Sequence, residues 1–170
     1  MPTQTYTPIA RQVLASSNTI SFTSIPSTYT DLVLVANARA SYADTIGIMR
    51  IRFNSDSGSN YSMTQLYGNG SAVASARVTN QTSFGLEYIS GNTAASGVFS
   101  PVILQIQNYS NTTTNKTMLS RTNDAAVRAV TQVGLYRSTS AITRIDLDEV
   151  LGTNYTAGST FTLYGIKAGS

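Results

Sequence analysis

Apolar and polar residues alternate with a period of two along most of the chain. In the segment IMRIRF at 48–53, for example, Met49, Ile51 and Phe53 alternate with two arginines. Successive side chains of a β-strand point to opposite faces of a sheet, so this pattern is typical of strands with one buried face. The pattern predicts about ten strands, which lie at or within 1–18, 20–22, 31–38, 48–53, 84–89, 98–109, 116–121, 127–136, 142–147 and 161–166.

Turn-forming residues separate these segments, as in NSDSGSN at 54–60 and SGNTAASG at 90–97. Short strands divided by such clusters indicate a sandwich or a barrel. No window has a sustained helical period, although TNDAAVR at 122–128 is compatible with one helical turn. Pro101 stands early in a predicted strand and indicates an edge strand or a bulge there. The sequence therefore predicts an all-β fold, an antiparallel two-sheet β-sandwich of jelly-roll type.

The chain is expected to form a single domain. Its 170 residues, 41% of them hydrophobic, suffice for one core and are too few to require two. No repeat and no Pro-rich or Gly/Ser linker divides residues 1–170. Residues 1–18 lack a clean alternation, and we interpret them as a first strand, with an extended arm as the alternative.

Composition excludes several classes of function. The chain has neither histidine nor cysteine, which removes the usual zinc ligands and the Ser-His-Asp triad. Its net charge of +3 comes from basic residues that are scattered singly, so no basic block is present to follow a nucleic-acid backbone. The N-terminus has no signal-peptide pattern, and no run of about 18 apolar residues occurs. We expect no nucleic-acid partner, no membrane partner and no cofactor.

The loop at 54–60 is the one candidate for a metal site. Asn54, Asp56 and Asn60 supply oxygen ligands at nearby positions, as calcium prefers. However, Ser59 and Gln65 stand where an EF-hand loop has its glycine and its bidentate glutamate, and one carboxylate binds calcium poorly. Asn, Asp and Gly are also the residues that tight turns require. The segment is therefore interpreted as a turn, with no metal.

Acidic residues near the C-terminus and in FGLEYI are the candidates for catalysis. Asp146 and Asp148 are two residues apart in RIDLDEV, with Glu149 next to them, and paired carboxylates can hydrolyse glycosides. The alternation instead predicts that both aspartates form the solvent side of a strand, with Arg144 as an ion-pair partner. Glu87 is interpreted in the same way. The sequence predicts that the protein is not an enzyme.

The chain contains ten tyrosines and no tryptophan. Most of the tyrosines border or occupy predicted strands, where the ring packs and the hydroxyl reaches water. Tyrosines in Ser- and Asn-rich loops can also form a contact surface for a protein or a glycan. Packing at the core or at corners is the favoured interpretation of each one.

Three segments carry a resemblance to a known family: ISFTSIPSTYTDLVLV at 20–35, IRFNSDSGSNYSMTQLYGNGS at 51–71 and FTLYGIK at 161–167. Related sequences contain SIP-x-x-Y-T-x-L, FN-x-D-x-G-x-N-Y and LYGIK in the same order. On these motifs the chain resembles small virion proteins of tailed bacteriophages. The middle of the chain, 72–150, has no motif of this kind.

The resemblance implies a structural role without catalytic residues. Such proteins look like β-sandwich modules that decorate the capsid as cement proteins or belong to tail fibres and spikes. We expect a capsid decoration protein, made in the host cytoplasm and placed on the outer surface of the virion. Its expected partners are the major capsid protein and itself, with a homotrimer by analogy. The alternative is a receptor- or glycan-binding module of the tail.

Overall fold

The computed structural model describes residues 5–151 and 154–167, without the side chains of Leu86 and Glu87. These ranges contain twelve β-strands and no helix. The strands are β1 (Tyr6–Val13), β2 (Ile20–Phe22), β3 (Asp31–Ala38), β4 (Ile46–Phe53), β5 (Tyr61–Gly68), β6 (Val73–Gln81), β7 (Phe84–Ser90), β8 (Ser100–Gln107), β9 (Lys116–Asp124), β10 (Arg128–Tyr136), β11 (Ile145–Glu149) and β12 (Thr160–Ile166).

Eight of these strands form a jelly roll. β1 pairs with β12, β2 with β11, β3 with β8 and β4 with β7, and every pair is antiparallel. The four pairs correspond to one long hairpin that is rolled up so that successive pairs enter alternate sheets. One sheet thereby contains the order β1-β12-β3-β8, and the other has the order β2-β11-β4-β7. The predicted fold, an antiparallel two-sheet β-sandwich of jelly-roll type, is confirmed.

Two additional hairpins widen one sheet. β5–β6 is inserted between β4 and β7, and β9–β10 between β8 and β11. All four inserted strands extend the first sheet in the order β8-β9-β10-β5-β6, which gives an eight-stranded large sheet opposite a four-stranded small sheet. Nearly every residue of β6, the last strand, is exposed. The small sheet therefore leaves this end of the large sheet uncovered.

Aromatic rings hold the inserted strands to the jelly roll. The rings of Tyr61 in β5 and Tyr136 in β10 stack with centroids 4.8 Å apart. Phe84 of β7 meets the Tyr61 ring edge-on at 4.9 Å, and Phe53 of β4 lies 5.5 Å from the Tyr136 ring. All four side chains are buried. This aromatic cluster therefore joins two strands of each sheet.

A second packing site brings together two of the sequence motifs that are far apart in the chain. Tyr29 lies against Gly165 of β12, where an added Cβ would be 2.3 Å from the Cγ atom of the tyrosine. In the same corner, the Tyr109 hydroxyl donates a hydrogen bond to the carbonyl oxygen of Pro26. The SIPSTYT and LYGIK segments are thus one packing unit, and glycine at 165 leaves the space that the tyrosine ring occupies.

Two local predictions are wrong. Residues 122–128 form no helical turn: they end β9 and begin β10, and Val127 N donates to Asp124 O at 2.9 Å to close a hairpin. Pro101 lies at neither an edge nor a bulge, because β8 is an interior strand that pairs with β3 in regular register. The missing N–H is tolerated since the register with β9 begins only at Val102.

The N-terminal segment forms a strand as predicted, whereas the hairpin β5–β6 was not predicted. Within residues 1–18, β1 forms a strand at the edge of the large sheet, whereas residues 1–4 lie outside the described part. The strand interpretation is thereby confirmed for β1. Strands β5 and β6 are absent from the predicted set.

Substitution of Gly165 by alanine tests the packing against Tyr29. The new methyl group would overlap the ring, so we expect a loss of about 1–3 kcal/mol in the free energy of unfolding, measured by urea denaturation. Gly85→Ala is the matched control, because its Cβ would meet only an Ile48 methyl group at 3.9 Å. Equal stability of the two variants would contradict the packing argument.

Candidate functional site

The outer face of the small sheet carries all the ion pairs found among the described residues. Asp148 is bound by Arg50, with Nη2 and Oδ2 2.5 Å apart, and Arg52 Nη1 lies 3.5 Å from the same oxygen. Arg144 Nη2 lies 2.7 Å from Asp146 Oδ1. A polar depression of about 330 Å³ adjoins these pairs, lined by Thr19, Ile20, Ser21, Arg52, Ser55, Ser57, Arg144, Asp146, Leu147 and Asp148.

Asp146 is the best-connected carboxylate of this face. Its Oδ1 accepts hydrogen bonds from Arg144 Nε and Ser21 Oγ, both at 2.7 Å, and Oδ2 accepts from Ser55 Oγ at 2.9 Å. Burial by itself would raise the pKa of Asp146, but these hydrogen bonds outweigh it and hold the pKa below its usual value. A general acid for glycoside hydrolysis needs a raised pKa. The arrangement instead keeps an ionised carboxylate that crosslinks β2, β11 and the 54–60 loop.

The other two acidic candidates are Glu149 and Glu87. Glu149 points inward and is fully buried, where Oε1 accepts from Ile48 N at 3.0 Å and Oε2 from Leu151 N at 2.7 Å. It thereby satisfies backbone N–H groups of β4 and of the loop after β11. Glu87 pairs with Ile48 in the β7–β4 register, and its side chain lies outside the described part of the structure.

The side-chain oxygen atoms of Asn54 and Asp56 accept hydrogen bonds from the 54–60 loop and from the segments that pack against it. Asp56 Oδ1 accepts from Gly58 N at 2.7 Å, and Oδ2 accepts from Asn60 Nδ2 and from the Tyr136 hydroxyl, both at 2.9 Å. Asn54, which has a positive φ of 53°, accepts hydrogen bonds from the backbone of residues 143 and 144. The interpretation of this segment as a turn is confirmed.

Four of the ten tyrosines are inside the protein. Tyr61, Tyr109, Tyr136 and Tyr155 are buried, and burial raises the pKa of each hydroxyl. Three of these hydroxyls donate to loops, from Tyr61 to Asp56 O, from Tyr109 to Pro26 O and from Tyr136 to Asp56 Oδ2, and the Tyr155 hydroxyl donates to Asp148 O of β11. Packing at the core or at corners is confirmed for these four residues.

The outer face of the large sheet is mainly apolar at its centre, in contrast to the charged outer face of the small sheet. Its centre, which we call the outer apolar face, consists of Val35, Leu66, Ile103, Leu119 and Val133, whose side chains are between 37% and 55% exposed. Contiguous apolar patches of this kind on a folded chain usually mark an interaction surface.

Strand register makes these five side chains neighbours. Val35 lies opposite Ile103 across β3 and β8, and Leu119 lies opposite Val133 across β9 and β10. Residues directly opposite in an antiparallel pair share a face, with Cβ atoms about 5 Å apart. Leu66 continues the patch into β5, where it faces Thr131 of β10. The outer apolar face therefore spans five adjacent strands.

Arg121 is the charged residue at the middle of this face. It lies in β9 between Ile103 of β8 and Thr131 of β10. Two depressions flank it, one of about 230 Å³ beside Ile103 and Leu119 and one of about 350 Å³ beside Leu66. Within the described ranges no carboxylate forms an ion pair with Arg121.

Sequence reasoning did not identify the outer apolar face. The signal was present, because Leu119 and Val133 stand in phase with polar neighbours at 117, 121 and 131. Alternation correctly showed which residues share a face of each strand. It also led to the expectation that the face with Leu119 and Val133 points toward the core. Ser120 and Gln132 are the ones that point inward and are buried.

Comparison with known proteins gives no significant match, either to a family model or to a curated protein. The described residues include no helix that is long and apolar enough to cross a membrane.

The hydrogen bonds to Asp56 predict a pH-dependent contribution to stability. Those from Asn60, Gly58 and Tyr136 lower the pKa of Asp56 against the opposing effect of burial. A depressed pKa contributes stability that is complete above the unfolded-state value of about 4 and is lost as the pH falls through the folded-state value. We expect Asp56→Asn to cost about 1 kcal/mol or more near neutral pH, and this cost should shrink below about pH 4.

Urea denaturation at a series of pH values measures this difference. Tyr136→Phe, which removes one of the three donors, should show a smaller change in the same direction. A gap between wild type and Asp56→Asn that stays constant down to about pH 3 would contradict the depressed pKa.

Proposed function

We propose that the chain is a structural protein of a tailed-bacteriophage particle, a capsid decoration protein that binds the major capsid protein through its outer apolar face. The observation that carries this proposal is the face itself: a broad sheet surface with exposed apolar side chains and few charges. The sequence motifs at 20–35, 51–71 and 161–167 support the phage assignment by resemblance.

The size of the large sheet suits a stable protein interface. Eight strands spaced about 4.8 Å apart and about 26 Å long present a surface of about 900 Å². A standard interface buries about 800 Å² on each partner. Since few charges lie on this surface, little desolvation energy opposes its burial.

Both edges of the large sheet are poorly suited to pairing with another strand, which favours the face as the binding surface. Edge strand β1 contains Pro8, which lacks an N–H group, a bulge between Pro8 and Ala10, and the exposed Arg11. Edge strand β6 carries the exposed Arg77 at its middle. Proline, bulges and charges are the features that prevent edge-to-edge association.

The remaining parts of the proposal come from the resemblance. We place the protein on the outer surface of the virion after synthesis in the host cytoplasm. Assembly into a homotrimer stays a prediction. The alternative of a glycan-binding tail module has less support, because four of the ten tyrosines are buried and do not contribute to a contact surface.

The copy number of the chain in purified phage particles tests the proposal. Quantitative mass spectrometry should give a ratio to the major capsid protein that corresponds to decoration of the whole shell. A copy number typical of a vertex or a tail would instead favour the tail module, and absence from particles would exclude both.

Substitutions on the outer apolar face test the surface. Leu119→Asp and Val133→Asp place a charge at its centre, so we expect binding to undecorated particles to weaken at least about 30-fold. Val98→Asp is the control, since Val98 is also an exposed apolar residue but lies in the loop before β8. Thermal unfolding of the three free variants shows whether each one is folded. Binding by the face variants at the wild-type level would exclude this surface.

A further inference from the structure

We infer that the partner of the outer apolar face carries a carboxylate that pairs with Arg121, and that this partner is a different protein and not a second copy of the chain. The inference rests on the proposed function and adds the chemistry of the surface that is bound. It follows from the position of Arg121, the distribution of charge on the face and the shape of the surroundings.

Arg121 lies where a partner would remove it from water. In β9 it is flanked by Ile103 and Thr131, and Leu119 is two residues before it on the same face. Burial of a guanidinium group without hydrogen-bond acceptors costs several kcal/mol. A partner that covers the apolar side chains must therefore supply an acceptor for Arg121, and a carboxylate matches the planar guanidinium with two parallel hydrogen bonds.

The outer face of the large sheet carries more positive than negative charge. Register places Arg11 and Arg77 on the same face as Arg121, opposite Thr162 and Thr64 respectively. These three arginines give the face a positive character. A partner with acidic groups would be complementary to all of them.

Asp31 is the acidic residue that register places on this face, at the start of β3. Strand geometry puts it about 16 Å from Arg121. Its Oδ1 already accepts a hydrogen bond from Asn108 N at 2.7 Å. Asp31 therefore does not neutralise Arg121 within one chain.

A second copy of the chain fits this face poorly. In a dimer that buries most of this face, the centres of the two faces meet, with the strands of the two sheets within about 30° of each other. Each Arg121 would then be buried among apolar side chains of the other copy, with Asp31 at a distant corner. The cost of two unpaired buried charges would offset much of the gain from apolar burial. Self-association thus requires another surface.

The depressions on both sides of Arg121 indicate the shape of the partner. The smaller one lies between Ile103 and Leu119, and the larger one lies over Gly68 and Ala129, where the lack of long side chains lowers the surface. A partner segment with a carboxylate between two projecting apolar side chains would fill both depressions and reach the guanidinium group. Anchors in such pockets usually dominate binding energy.

Charge reversal at Arg121 tests the inference on undecorated phage particles, by cosedimentation with the purified chain. We expect Arg121→Glu to weaken binding at least about 30-fold, because it places a like charge against the partner's carboxylate. Arg77→Glu, at the rim of the same face, should change binding by no more than about fivefold. Wild-type affinity of Arg121→Glu would overturn the inference and leave the proposed function intact. Failure of the wild-type chain to bind particles would overturn both.

A zero-length crosslink identifies the partner atom. In the Arg121→Lys variant, a carbodiimide converts a neighbouring carboxylate to an O-acylisourea, and attack by the lysine Nζ forms the amide and releases the urea, a net loss of one water from the crosslinked chains. Mass spectrometry should find this link to an aspartate or glutamate of the major capsid protein, with Arg77→Lys as the control. A link to an acidic residue of another copy would overturn the inference. So would a wild-type oligomer in sedimentation velocity that Leu119→Asp disperses.

Discussion

The stacked rings of Tyr61 and Tyr136 are the contact on which the width of the molecule depends. They lie on inserted strands β5 and β10, and Phe53 and Phe84 hold them to β4 and β7 of the small sheet. The end strand β6 buries almost no side chain, so it has little apolar burial of its own to keep it in place. Without the aromatic cluster, the inserted strands would no longer be packed against the small sheet. The large sheet would then not extend past the jelly roll, and the outer apolar face would lose Leu66 of β5.

Buried cations in this protein are satisfied by backbone carbonyl groups. The guanidinium group of Arg39 donates to carbonyl oxygens of four residues in the loop 92–98, and Lys116 Nζ donates to those of Thr114 and Thr139. Burial lowers the pKa of Lys116. These side chains fix loops at both ends of the sandwich, so long connections are held without additional secondary structure. Apart from Asp31 at one corner, the described carboxylates lie on the small sheet and in turns, which leaves the outer face of the large sheet with its positive character.

The sequence was sufficient to predict the fold class but not the orientation of every strand. Turn-forming residues and alternation located most strands, and the short polar loop at 54–60 was correctly interpreted as a turn. In β9 and β10, however, Ser120 and Gln132 point inward while Leu119 and Val133 point outward. A period of two assigns the residues of a strand to two faces. When both faces contain polar and apolar residues, it does not show which face is buried. Strand β6 was not predicted because nearly all of its residues are exposed, so neither of its faces has the apolar pattern of a buried face. The outer apolar face depends on the orientation of β9 and β10 and on Leu66 of β5, a strand absent from the predicted set, so alternation alone did not locate it.

The pairing of the first and last strands also governs how the chain reaches this structure. Tyr6 in β1 lies opposite Ile166 in β12, so one edge of the large sheet joins residues from the two ends of the described sequence. During synthesis the hairpins β5–β6 and β9–β10 can form as soon as they emerge, whereas β1 has no partner until β12 has been made. Contacts of such large sequence separation close slowly, because the entropy of the intervening loop must be lost first. The same closure places the two ends of the described chain side by side, a geometry in which a circularly permuted chain with a new opening in a surface loop would keep every strand pair.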